Sequence, residues 1–250
     1  DDFFEDNNMS AGTTPASPES SYDRWAMNSY FLRFAYTYKD RYSATVTGRV
    51  DGSSKFGENN KYAFFPSAGL AWNISQEDFM QDQSTISNLK LHTSYGLTGN
   101  SEIDTYRSLA RVSSGTLLIN DIRAPYSYIS SMANPDLKWE STAMLNIGLD
   151  FSLFNGRLGG TIEWYDKRTS DMLYTYKVPT PPYVYDRMQA NVGDMKNTGI
   201  EVLLNLDVIR NKTFNWNMSL NLSHNKNEIT KLSSDLYTTD RIYTGDPWIR

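Results

Sequence analysis

The chain has 250 residues, enough for one large domain or two ordinary ones, and its overall charge of −5 gives no electrostatic basis for binding nucleic acid or anionic lipid headgroups. Apolar residues make up 39%, below the roughly 45–50% of globular domains, but the 14% aromatic content excludes an intrinsically disordered chain. With no cysteine there are no disulfides, thiolate metal sites or cysteine nucleophiles, and no apolar run reaches the about 18 residues of a transmembrane helix.

The opening "DDFFEDNN" has neither a basic nor an apolar leader region, so no signal peptide is visible; the chain is either not exported or an interior piece of a longer protein. From there, period-two alternation recurs throughout. Residues 25–38 set Tyr30, Leu32, Phe34, Tyr36 and Tyr38 against Arg33, Thr37 and Lys39. After "KDR", Tyr42, Ala44, Val46, Gly48 and Val50 alternate with Ser43, Thr45, Thr47, Arg49 and Asp51. "DGSSKFG" reads as a tight turn leaving this second strand, since Asp-Gly is turn chemistry and the spaced carboxylates of a calcium loop are missing. The third run carries Tyr62, Phe64, Pro66, Ala68, Leu70, Trp72 and Ile74 on one face. "SQEDFM" then predicts a single helical turn capped by Ser75.

The fourth run, residues 88–98, sets Leu89, Leu91, Tyr95 and Leu97 against Lys90, His92 and Ser94. A long link over 99–140 ends in "NPDLKWE", where Asn134-Pro135 starts a turn and Trp139 sits at the return into strand five. Residues 141–153, 157–170, 198–209 and 213–224 complete eight strands, with Leu145, Ile147, Ile162, Val202, Leu204 and Leu220 in the apolar phase. Asn155-Gly156 between strands five and six is the strongest short hairpin signal in the chain.

Short turns alternate with long links at 53–61, 99–140, 171–197 and from 229 on, with the 76–87 link on the short side by order yet of middling length, the pattern of an outer-membrane barrel with its long loops extracellular. The runs are at least as long as the about 9–11 residues a tilted membrane strand needs, whereas sandwich strands average about 5–6. The fold class expected is therefore all-β, an antiparallel up-and-down transmembrane β-barrel segment of about eight strands, with the apolar face on the lipid bilayer and the polar face on a wet lumen. Tyr36, Tyr38, Tyr42, Tyr62, Phe64, Trp72 and Trp164 are candidates for its aromatic girdles. A soluble carbohydrate-binding β-sandwich and a surface adhesin are the competing readings.

Five blocks in one order, "YSATVTGRVDGSSKFGENNKYAFFPSAGLAWNISQEDFM", "ISNLKLHTSYGLTGN", "NPDLKWEST", "NTGIEVLLNLDVI" and "FNWNMSLNLSHNKNEITKL", resemble the barrel of SusC/RagA-type TonB-dependent transporters. The resemblance implies a barrel of about 22 strands filled by an N-terminal plug. It also implies an outer-membrane location, import of glycan fragments or peptides energised by the TonB complex, and a SusD-like surface lipoprotein as partner. On that reading residues 1–250 are a middle portion of the barrel domain, with plug and final strands absent.

No nucleophile elbow or P-loop occurs, so no enzyme activity and no cofactor is expected. His92 and His224 stand alone, which argues against a metal site. Asp150, Glu163, Glu201 and Asp207 share the wet face with Arg33, Arg49, Lys90 and Lys167, and ion pairing is their expected role. Substrate contact is placed on aromatic residues of the long loops: Tyr126, Tyr128, Trp139, Tyr183 and Tyr185, the last two in the proline-stiffened "PTPPYVYD".

Overall fold

The structure, a computed structural model, describes residues 22–178, 181, 185 and 187–231. Among these residues twelve strands form: β1 (Met27–Tyr38), β2 (Tyr42–Ser53), β3 (Tyr62–Asn73), β4 (Ile86–Asn100), β5 (Arg111–Ile119), β6 (Ile122–Ser131), β7 (Glu140–Leu153), β8 (Leu158–Ser170), β9 (Leu173–Lys177), β10 (Arg187–Asn191), β11 (Asp194–Arg210) and β12 (Asn215–Lys231). The eight long ones make a single antiparallel sheet in the order β1-β2-β3-β4-β7-β8-β11-β12. These are the eight strands of the sequence pattern, each paired with its neighbour in the chain.

The sheet's register joins the apolar positions into one surface. Cross-strand partners share a face, and Tyr36 pairs with Ala44, Ala44 with Leu70, Leu70 with Thr93, and Thr93 with Ile147. The same row continues from Ile147 to Trp164 and Ile200. One row along, Ile162 pairs with Val202 and Val202 with Leu222. The opposite face carries Arg49, Lys90, Asp150, Glu163 and Glu201, with Lys90 opposite Asp150 and Glu163 opposite Glu201. Among the described residues no second sheet packs on the apolar face, which removes the sandwich alternative: a sandwich needs that face covered.

One end of the sheet closes tightly. Lys39 and Asp40 both take positive φ (51° and 55°), and the Arg41 N–H bonds the Tyr38 carbonyl, a type I′ turn matched to the strand twist. Phe154, Asn155 and Gly156 do the same between β7 and β8, as the Asn-Gly pair predicted. Asn211 caps the β11–β12 turn, its side-chain oxygen accepting from the Thr213 and Phe214 N–H groups.

Three expectations change. Asp51 and Gly52 lie inside β2, not in a turn, because Gly52 makes room for the ring of its cross-strand partner Tyr62, which a Cβ would meet at 2.3 Å. The single helical turn is two 3₁₀ turns, Ile74–Gln76 and Asp78–Met80, and Ser75 caps neither. Its hydroxyl instead accepts from the Leu89 N–H and ties the link to β4. The links at 99–140 and 171–197, read as loops, each contain a hairpin, β5–β6 and β9–β10. Asn120 and Asp121 make the first a type I′ turn without any glycine, and Pro125 inside β6 disguises an edge strand.

Glu77 organises the tight end. It is buried, and its carboxylate accepts from the Tyr42 hydroxyl at 2.5 Å, the Trp72 indole N–H at 2.9 Å and the Arg41 guanidinium at 3.1 Å. The bonds from Tyr42 and Trp72, with the Arg41 charge behind them, hold this carboxyl below its ordinary value of 4.5.

Adjacent leucines on β11 offer a clean test of the two faces. Leu204→Arg, on the apolar face, should destabilise the assembled membrane protein by about 2–4 kcal/mol, while Leu203→Arg, on the wet face, should stay within about 0.5 kcal/mol. Unfolding titrations of the membrane-embedded protein measure both. For Glu77, a lowered folded value means the carboxylate's stabilisation is complete above the unfolded value and is lost as pH falls through the folded one. The thermal midpoint should therefore drop as the pH is taken from neutral to below 4.5, and Glu77→Gln should flatten that dependence.

Candidate binding surface at the long-loop end

The long links meet at the other end of the sheet and are woven into a small core of their own. Phe56, Phe65, Ile103, Leu137 and Trp139 cluster there, all buried. Phe65 stands on the otherwise wet face of β3 because this core covers it. Trp139 lies 4.7 Å from Phe56 and 5.7 Å from Phe65 between ring centroids, and its indole N–H donates to the Lys61 carbonyl at 3.2 Å. Gly57 permits the close approach of two links: a Cβ would lie 2.0 Å from the Pro135 carbonyl oxygen, and the Gly57 N–H bonds Leu137 at 2.9 Å.

Asparagine amides do much of the joining. Asn134 starts the turn as predicted, accepting from the Asp136 N–H, and its NH₂ reaches the Gln189 carbonyl on β10. Asn191 accepts from the Lys138 N–H at 2.9 Å and donates to the carbonyls of Lys138 and Asp171. It acts as a short piece of strand between two links and was missed in the sequence, where its only signal is the neighbouring Gly193 with φ of 85°. Glu140 accepts from the Leu173 N–H and from the Asn100 amide, which fixes the β9–β10 hairpin to the sheet. In the loop after β4, the Arg107 guanidinium beside Asp104 keeps that carboxyl below its ordinary range.

Of the five predicted contact residues, Tyr126 and Tyr128 stand open. They sit two apart on β6, 40% and 47% exposed, with their rings stacked at 5.7 Å, and Tyr126 lies over the bare Gly115 of β5. Trp139 is 4% exposed and Tyr185 8%, so neither presents an open ring in this arrangement. Tyr183 lies outside the described residues. Of the five, the open aromatic surface is thus one stacked pair on a hairpin.

On the wet face the carboxylates pair differently from expectation. Arg49 grips Asp51 through Nε at 2.8 and 2.7 Å. Asp150 and Glu163 flank His92, at 3.5 Å from Nδ1 and 3.3 Å from Nε2, rather than meeting Lys90 or Lys167. The reason is reach: Gly148, directly opposite His92, leaves the ring space between the two acids, and a Cβ there would strike it at 2.2 Å. Among the described residues no group of three or more His, Asp or Glu side chains is arranged to hold a metal ion.

A single, long-stranded, two-faced antiparallel sheet with tight turns at one end and interwoven loops at the other defines the wall of a membrane β-barrel. The chain belongs to the TonB dependent receptor-like, beta-barrel family, whose profile matches residues 1–249. It is similar to TonB-dependent receptor P26 of Formosa agariphila, 42% identical over 91% of this chain and 23% of that protein. It is also similar to TonB-dependent receptor SusC of Bacteroides thetaiotaomicron, 38% identical over 87% of this chain and 23% of SusC. Among solved structures, the RagAB peptide importer in its closed-closed state superposes with a TM-score of 0.81 at 36% identity, over 91% of this chain and 25% of that one. The siderophore receptor PirA from Pseudomonas aeruginosa, at 10% identity and a TM-score of 0.51, shares the fold alone. The chain spans less than a quarter of the length of the curated relatives it matches.

Replacing Trp139 by alanine in the full-length protein should cost about 3–5 kcal/mol, the range for deleting a buried large aromatic. The loops should become protease-sensitive while the sheet persists, which limited proteolysis read by mass spectrometry checks.

Proposed function

We propose that this chain is part of the barrel wall of an outer-membrane importer energised by the TonB complex, with its plug and remaining strands supplied by a longer protein. A SusD-like surface lipoprotein covers the mouth and the interwoven loops form the docking floor. The observation that carries this reading is the division of one continuous sheet into an apolar face and a charged face, with loop structure concentrated at one end. A wall of that kind separates hydrocarbon from a water-filled passage, and the family membership supplies the type of passage.

Two cargo classes are supported by different observations. Peptides are favoured by the likeness to RagAB, whose solved structures are described as a peptide importer. Glycan fragments are favoured by the exposed Tyr126–Tyr128 pair, since stacked rings with hydroxyls at a wet surface suit sugar faces. In either case the pair is the proposed first contact, with Tyr183 and Tyr185 of the separate 171–197 link as secondary candidates and Trp139 as the pin that holds the loops.

The test uses the full-length transporter in its native membrane. Tyr126→Ala with Tyr128→Ala should lower uptake and affinity by about tenfold or more, on the scale of about 1–3 kcal/mol for buried aromatic anchors, with surface expression normal. Supplying defined peptides and defined oligosaccharides separately identifies the cargo. Unchanged uptake of both would move substrate contact to other parts of the protein or to the lipoprotein. Recovery of the full-length protein in detergent-free buffer would sink the membrane reading itself.

A further inference from the structure

The apolar face is not uniformly smooth. Near the tight-turn end it holds a groove of about 600 Å³, within the about 300–1,000 Å³ range of ligand sites. Its floor comes from the alternation of large and small residues along one row of the sheet. Ala44 lies between Tyr36 and Leu70, and Thr93 lies between Leu70 and Ile147. Two dips therefore run between three ridges. Thr93 does not spoil the lining, because its hydroxyl donates to the Asn146 carbonyl at 3.0 Å and leaves its methyl to face outward.

At the groove's end wall the polar tips of two aromatics are turned away from the groove. Tyr42 and Trp72 stack, 6.5 Å apart and 12° from parallel, and both polar tips are tied to Glu77 beyond the groove. Glu77 is in turn neutralised by Arg41, which also reaches Asp78 at 2.5 Å. At the mouth the Lys39 ammonium sits 5.3 Å above the ring of Tyr38, itself a lining residue. Asp40 follows it at the second positive-φ position of the exposed turn, so a cationic and an anionic residue are neighbours in the turn beside the groove. The groove lies on the outward face, away from the lumen and its contents, and runs from β1, an edge strand of this sheet, to β7.

Resting on the membrane reading above, we propose that this groove is a specific phospholipid site. One acyl chain lies in the dip over Ala44 and the other in the dip over Thr93, on either side of Leu70, and a phosphoethanolamine headgroup meets Lys39 through its phosphate and Asp40 through its ammonium. Short turns mark the periplasmic side of such barrels, so the occupant comes from the inner leaflet. The charge pattern selects the zwitterionic headgroup: a lone cation would favour an anionic lipid, but here its neighbour is a carboxylate.

The experiment is native mass spectrometry of the detergent-purified full-length transporter, offered phosphatidylethanolamine, phosphatidylglycerol and diacylglycerol of the same chains. The wild-type barrel should retain one phosphatidylethanolamine in preference to the other two. Ala44→Phe fills a dip and displaces about two methylenes of the chain, so retention should fall about tenfold. Val46→Phe, on the same face one row farther from the turn, should retain lipid like the wild type. Lys39→Ala, at an exposed turn and harmless to folding, should erase the preference over diacylglycerol. Equal retention by Ala44→Phe and wild type, or a stripped wild-type barrel, overturns the site. A preference for phosphatidylglycerol overturns the headgroup assignment. A barrel that sits in the membrane yet holds no lipid defeats only the groove, whereas a protein that never enters the membrane defeats the reading beneath it.

Discussion

The register of the eight-stranded sheet is the constraint on which the rest depends. Side chains alternate with a period of two, so a slip of one residue in any pair would turn a whole strand inside out. Here the pairing from Tyr36 across to Ile200 keeps one row in phase over seven strands. In hydrocarbon the penalty for misalignment is doubled. Charges such as Arg49 or Glu163 would face lipid, and unpaired backbone groups would have no water to turn to. Continuous pairing satisfies the backbone and sorts the side chains in one act.

The two ends of the sheet solve different problems. At the tight end the chain reverses in the fewest residues, and positive-φ positions at Lys39, Asp40, Asn155 and Gly156 match the strand twist. What remains polar there is gathered on Glu77, which gives the ring tips of Tyr42 and Trp72 a common acceptor. This lets two amphipathic aromatics lie against lipid with no dangling donor. At the loop end the links are long, and order comes from packing around Leu137 and Trp139 and from asparagine amides standing in for strand neighbours. One end is fixed by backbone geometry, the other by side chains.

That difference shows in how the loop end is held. The loop core is tied to β3 through Phe65 and joins the links before β3 and β7 through Gly57 and Trp139, so the platform is coupled to the sheet. The β5–β6 hairpin carries its exposed tyrosine pair beyond that core, where only a two-stranded ribbon holds it. The floor is thus held by core packing and the projecting aromatic ribbon by strand pairing alone. On the wet face, Asp150 and Glu163 turn to His92 rather than to Lys90 or Lys167.

The sequence by itself determined the eight long strands, their order, the sorting of residues between two faces, and the Asn155-Gly156 turn. Each of these is written locally: alternation needs only neighbours two apart, and an up-and-down sheet pairs strands as they follow in the chain. It did not disclose the hairpin around Asn120-Asp121, whose turn lacks glycine and whose second strand contains Pro125. Only the tertiary structure decided that Trp139 and Tyr185 are buried while Tyr126 and Tyr128 are open, that Glu77 gathers the ends of β2 and β3, and that Ala44 and Thr93 fall in line as a groove. These outcomes depend on partners tens of residues apart, such as Phe56 and Trp139 or Tyr42 and Glu77. The fate of a tyrosine or tryptophan is fixed by which of those distant surfaces closes over it, and no local period carries that information.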